Sequence, residues 1–187
     1  EESSVDQNFP VCIAVNVSTV QFAHADLFEL VCKALKETQL PSHLLQLEIT
    51  ESTLMSDPEN ITDICRQLRA IGVSIAIDDF GVEYSSLKYL KQLPIDIIKI
   101  DKCFIDECAI NHSDRVLVRT IIQMGHSLGI KLVAEGVEFQ EQLDVLVQEG
   151  CNQYQGYLFS QPLNHDEFAS MMTQEMREER VVKLTKE

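Results

Sequence analysis

Two adjacent carboxylates, Asp78 and Asp79, close the apolar run IAIDD, and the same arrangement recurs along the chain. Asn16 ends VNVS, Glu48 and Glu51 lie in LEITES, Lys99 and Asp101 in IIKID, Glu135 and Glu138 in VAEGVE, and Gln155 in YQGYLFS. Adjacent acids repel unless a cation neutralises them, which favours a divalent ion. An isolated pair is better explained by a solvated loop in which one acid caps the next turn, and capping is again the plain alternative for Glu48 and Glu51. Lys99 and Asp101 share a parity on a strand built from isoleucines, so they point to one face. A buried structural salt bridge accounts for that lysine as well as a catalytic role does. Convergence favours chemistry: if the runs are parallel strands of one barrel, their ends share a rim and assemble a metal-binding, phosphate-cutting site.

The elements that must position these residues follow from hydrophobic periodicity. Strands are expected at 11–17, 44–50, 73–78, 96–100, 131–134 and 154–159, alternating with helices at 20–38, 58–71, 85–93, 114–128, 140–148 and 165–176. Asp57 before Pro58 reads as an N-cap, and Gly129 and Gly150 as helix stops. On helix 114–128, Leu117, Val118, Ile121, Ile122, Gly125 and Leu128 form one apolar stripe. Such strand–helix units with right-handed crossovers give a parallel α/β sheet, and the unbroken apolar strands predict cover on both faces. A barrel and a doubly wound open sheet both fit. A (β/α)8 barrel typically takes about 250 residues, so the chain reads as an incomplete TIM-type barrel with about six of eight units. Residues 1–10 read as a lead-in, 11–176 as the barrel domain and 177–187 as a tail.

Composition narrows the partners. The chain's 187 residues carry 15 basic against 30 acidic side chains, a net charge of −15, which argues against a grip on polymeric nucleic acid. A small phosphorylated ligand stays compatible, because divalent metals bridge acids to phosphate. The six cysteines show no CxxC spacing and read as reduced thiols of a cytoplasmic domain. The five histidines show no HxH or HExxH spacing, which speaks against an imidazole zinc site. No apolar stretch reaches the roughly 18 residues of a membrane helix, so no membrane contact by this domain is expected.

Taken in order, VNVS, LEITES, IAIDDFG, YSSL, LPIDIIKID, VAEGVE and QGYLFSQP resemble the motifs of the EAL-domain family, the phosphodiesterases that hydrolyse the bacterial messenger cyclic di-GMP to linear pGpG. The resemblance runs from Val11 to Pro162. It implies a modified TIM barrel with two Mg²⁺ or Mn²⁺ ions and an elongated dinucleotide across the rim. Asn16, Glu48 and Asp78 resemble ligands of the first metal, Asp78 with Asp79 the bridge to the second, and Glu135 a further acid of the metal and water site. Lys99 resembles the residue that orients or stabilises the attacking hydroxide, and Glu51 the glutamate that positions the loop after IAIDDFG. Asp101, Glu138 and Gln155 resemble supporting residues.

The chain departs from that pattern twice. The Glu-Ala-Leu motif and the arginine after it are absent, so the expectation is a truncated barrel, inactive as it stands, whose exposed edge strands drive self-association or homodimerisation. GGDEF or sensor domains are expected in the parent protein. Active members resemble DFGTGYSSL where this chain has Val82 and Glu83, which removes a hydroxyl and adds a charge near the acidic rim. That change motivates a second reading, a degenerate domain that acts as a cyclic di-GMP receptor or a protein-interaction module without cutting.

Overall fold

The computed structural model describes residues 11–23, 26–82 and 90–178. Six strands form one sheet: β1 (Ile13–Asn16), β2 (Leu45–Thr50), β3 (Ser74–Phe80), β4 (Ile97–Ile100), β5 (Lys131–Ala134) and β6 (Gln153–Tyr154). All pairs are parallel, and the spatial order is the chain order β1-β2-β3-β4-β5-β6. A doubly wound sheet reverses its order at a switch point; a sequential order winds one way, as a barrel does. The topology therefore settles the choice in favour of an incomplete TIM-type barrel.

The helices among the described residues are α1 (Thr19–Ala23), α2 (Leu27–Thr38), α3 (Glu51–Ser56), α4 (Pro58–Ala70), α5 (Lys102–Ile105), α6 (His112–Leu128), α7 (Gln140–Glu149) and α8 (His165–Glu178). Asp57 caps α4 through the Asn60 amide, Gly129 and Gly150 adopt the left-handed conformation that ends α6 and α7, and β5 has its expected bounds. The core fills the space between sheet and helices, with Ile49, Ile75, Ile77, Ile98, Ile100 and Leu132 from the strands almost wholly buried. Those side chains meet Leu68 of α4 and Val118 and Ile122 of α6 in one cluster.

Several expectations are corrected. The single helix at 20–38 is two, because Asp26 leaves the helical conformation (φ −107°, ψ 9°) before Leu27. Strand 154–159 is only Gln153–Tyr154; Gly156 (φ 155°) then turns the chain, and its carbonyl accepts from the amides of Phe159 and Ser160. Cover on both faces holds for β4, buried at all four positions, but β1 is exposed along its length. On α6 the stripe narrows to Val118, Ile122 and Gly125, with Leu117 44% exposed. The short helices α3 and α5 carry too few residues for a periodic signal; Thr50 and Asp101 cap them directly from the strand ends. Helix 85–93 and Glu83 fall mostly or wholly outside the described residues, as do the lead-in and residues 179–187. No helix among the described residues is long and apolar enough to cross a membrane.

Candidate active site

The C-terminal ends of β2, β3, β4 and β5 converge on Lys99. Its Nζ lies 2.7 Å from Glu48 Oε2, 2.8 Å from Asp78 Oδ1 and 2.8 Å from Glu135 Oε1, with the lysine itself 5% exposed. Burial alone would lower this ammonium, but its contacts with Asp78, Glu135 and Glu48 outweigh it and hold the group above the ordinary lysine range. Lys99 is therefore a permanent cation. Three carboxylates around one ammonium leave the cluster net negative. Burial, reinforced by Asp78 and Glu48, pushes Glu135 above the usual carboxylate range even though Lys99 pulls it down.

Strand alternation would send the side chains of Asp78 and Asp79 to opposite faces. The backbone prevents this. Ala76 and Ile77 pair with Ile97 and Ile98, after which the register slips so that Phe80 pairs with Ile100, leaving two aspartates opposite Lys99 alone. A bulge re-aims side chains in this way, and Asp79 takes a left-handed φ of 52° to complete it. As a result, carboxylate oxygens of Asp78, Asp79 and Glu135 all lie within 4.8 Å of one another.

That trio fits a divalent cation. Lys99 meets Asp78 Oδ1 at 2.8 Å, and a carboxylate has lone pairs beyond that contact with which to hold a further cation. Asp79 is exposed, and burial of its carboxyl together with Asp78 and Asp101 raises its pKa. Asp101 moves the other way: burial opposes ionisation, but hydrogen bonds from Cys103, Asp79 and Lys102 outweigh it.

The surrounding residues hold this cluster in shape. Glu48, 6% exposed, uses its second oxygen to accept from Gln46 Nε2 at 2.8 Å. Gln155 Nε2 donates to Glu135 at 2.8 Å. Glu51 Oε2 accepts from the Gly81 amide at 3.2 Å, which ties the start of α3 to the loop after the aspartates. Glu138 pairs with Lys102 at 2.6 Å. Gly136, at φ 66°, lies so close to Lys102 that a Cβ there would fall on the lysine side chain. Asn16 is exposed and registers with Glu48 across β1 and β2. A cavity of about 440 Å³ opens beside the cluster between Lys102, Glu138, Gln155 and Tyr157.

The structure thus brings Glu48, Asp78, Asp79, Lys99, Glu135 and Gln155 into one centre, with Asp101 beside Asp79, Glu51 at the start of α3 and Glu138 in the loop after β5. Sequence reasoning missed Gln46, Lys102 and Gln142. Gln46 had a signal, since it shares the parity of Glu48 on an otherwise apolar strand. Gln142 had one too, as a glutamine at the third position of a helix whose oxygen accepts from the amides three and four residues before it, whereas the Lys102–Glu138 pair, 36 residues apart, had none.

Comparison with known proteins agrees with this fold. The EAL-domain family model matches residues 2–162. The bifunctional diguanylate cyclase/cyclic di-GMP phosphodiesterase MucR of Pseudomonas aeruginosa is 50% identical over 152 residues, covering 81% of this chain and 22% of the relative. The structure of the PaMucR phosphodiesterase in complex with c-di-GMP superposes with a TM-score of 0.80 at 46% identity, over 84% of this chain and 64% of that one. The manganese/cy-diGMP complex of Klebsiella pneumoniae BlrP1 gives 0.75 at 30% identity, over 81% of this chain and 39% of that one. The chain spans about a fifth of the length of the curated relatives it matches. With a family match over most of its length and a sheet that superposes on solved members, the chain belongs to the EAL-domain family.

Proposed function

We propose that this domain hydrolyses cyclic di-GMP to linear pGpG with two divalent ions, Mg²⁺ or Mn²⁺. The observation that carries the reading is the buried Lys99 ringed by Glu48, Asp78 and Glu135 from three other strands, with Asp79 on the open side. Asn16, Glu48 and Asp78 would hold one ion, Asp78 and Asp79 the other, with Glu135 a further acid of the metal and water site. Such ions, when bound, lower the pKa of water and neutralise the phosphate.

The chain's own residues supply the rest. Lys99, its ammonium held by Glu48, Asp78 and Glu135, supplies a fixed positive charge that would orient or stabilise the attacking hydroxide. Glu135, held by Lys99 and steadied by Gln155, both at 2.8 Å, would serve as the further acid of the metal and water site. Glu51 holds the Gly81 loop, and Lys102 with Glu138 lines the cavity that receives the dinucleotide. GGDEF or sensor domains in the parent protein, and self-association through the exposed β1 edge, belong to the same proposal.

The test is incubation of cyclic di-GMP and Mn²⁺ with a chain carrying this domain plus the residues that precede it in its parent, with product read by chromatography. Formation of pGpG is expected. Val82 and Glu83, which stand where active members resemble Thr-Gly, motivate the receptor reading, because the valine lacks a hydroxyl for Glu51 or water. Saturable binding of cyclic di-GMP without product would establish that alternative, and no binding at all would point to a protein-interaction module.

A further inference from the structure

Gln142, at the third position of α7, is 2% exposed. A polar side chain so deeply buried must satisfy its donors and acceptor or destabilise the fold. Gln142 does so on two fronts at once. Its Oε1 accepts from the backbone amides of Glu138 at 2.8 Å and Phe139 at 3.0 Å, while its Nε2 donates to the carbonyls of Ile105 and Asp106, both at 3.3 Å. Two N–H groups on one side and two C=O groups on the other fix which way the amide points. A carboxylate in its place would face two carbonyl oxygens, and an aliphatic chain would take these bonds from the Glu138 and Phe139 amides and the Asp106 carbonyl, while Ile105 O keeps the Cys108 amide at 3.2 Å.

The two fronts are the loops that carry site residues. Ile105 and Asp106 end α5, which begins at Lys102 directly after Asp101. Glu138 and Phe139 close the loop that begins at Glu135. That loop is pinned along its length: the Glu135 amide donates to Ile100 O at 3.1 Å and the Val137 amide to Gln155 O at 3.1 Å. Gln142 supplies a third anchor and, beside the Lys102–Glu138 pair, a second link to α5. It is a sequence neighbour of neither Lys99 nor Glu135, and it touches no carboxylate of the cluster.

We infer that Gln142 is a positioning residue for the acidic centre: by clamping the Glu135–Glu138 loop to the end of α5, it fixes where Glu135 stands relative to Asp78 and Asp79. This role rests on the metal-dependent reading of the cluster. Outer-shell partners of metal ligands typically change metal affinity about 10–100-fold when removed. Gln142→Met, which keeps the volume and removes all four bonds, is therefore expected to weaken Mn²⁺ binding by about tenfold or more.

The experiment is calorimetric titration of the chain with Mn²⁺ alone, with thermal melting recorded in parallel. Leu68→Ala, a truncation in the core beneath α4, serves as the control because it lowers stability without touching either loop. Weakened binding in Gln142→Met with binding retained in Leu68→Ala supports the role. Equal binding by Gln142→Met and the wild type, or equal weakening in both variants, overturns it and leaves Gln142 a core residue. Absence of Mn²⁺ binding by the wild type removes the metal-dependent reading and this role with it. If Gln142→Met fails to fold, Gln142→Asn decides: it keeps the amide one methylene short, and folded protein with unaltered Mn²⁺ affinity overturns the role.

Discussion

Lys99 concentrates the chemistry of this domain in one side chain. A lysine buried among isoleucines is tolerable only because three carboxylates meet it at 2.7–2.8 Å, and those carboxylates are tolerable together only because of it. Lys99→Met would leave Glu48, Asp78 and Glu135 facing one another with no cation. Removing one member of a buried ionic cluster costs about 3–5 kcal/mol, so the variant is expected to melt at much lower denaturant in the absence of metal. Added Mn²⁺ should restore part of that loss, since a divalent cation replaces the missing charge. Urea titration with and without Mn²⁺ reads both effects, and a variant as stable as the wild type without metal would remove Lys99 from the centre of this account.

At the scale of elements, the decisive features are irregularities rather than regular strands. The slipped register between Ile77 and Phe80 turns an ordinary Asp-Asp dipeptide into two carboxylates on one side of the sheet. The early end of β6 is a second such feature. Gln155 still donates its amide to Ala134 O, and Gly156 then turns so tightly that a Cβ would fall on the backbone of Val137. Gly156→Ala therefore meets backbone that cannot yield, in a conformation that L residues avoid, at a cost of about 1–3 kcal/mol. Denaturant melts should show that loss. Because Val137 lies between Glu135 and Glu138, amide exchange in that loop is expected to rise in the variant, and unchanged exchange there would break the proposed link between β6 and the site.

Across the whole molecule, α6 and α7 are tied by Arg119 and Glu149, which meet through two bonds of 2.8 and 2.7 Å, with Arg115 3.6 Å from the same carboxylate. The Arg119 guanidinium holds Glu149 below the usual carboxylate range, ahead of the opposing effect of burial. A depressed pKa contributes stability that is present above the unfolded value and lost as pH falls through the folded one. Glu149→Gln should thus be less stable than the wild type at pH 7, with the difference shrinking as the pH drops below the ordinary glutamate range. Urea melts at neutral pH and at pH 3 check the sign; a gap that persists at pH 3 would mean that packing, not charge, explains it.

The sequence by itself determined the parallel α/β class, the strands that end in acids and the family resemblance, because those rest on local signals: apolar runs of strand length, caps such as Asp57, stops such as Gly129 and Gly150 and short motifs, whereas the strand order that makes a barrel of them is tertiary. It also placed Glu48, Asp78, Lys99 and Glu135 at strand ends, which parallel topology alone brings to one rim. Only the tertiary structure decided that Asp79 joins Asp78 on the same side, that Glu135 is steadied by Gln155, and that Gln142 bridges two loops. A bulge reverses the alternation on which a strand is read, and a hydrogen bond across 36 or 37 residues leaves no periodic trace in the chain.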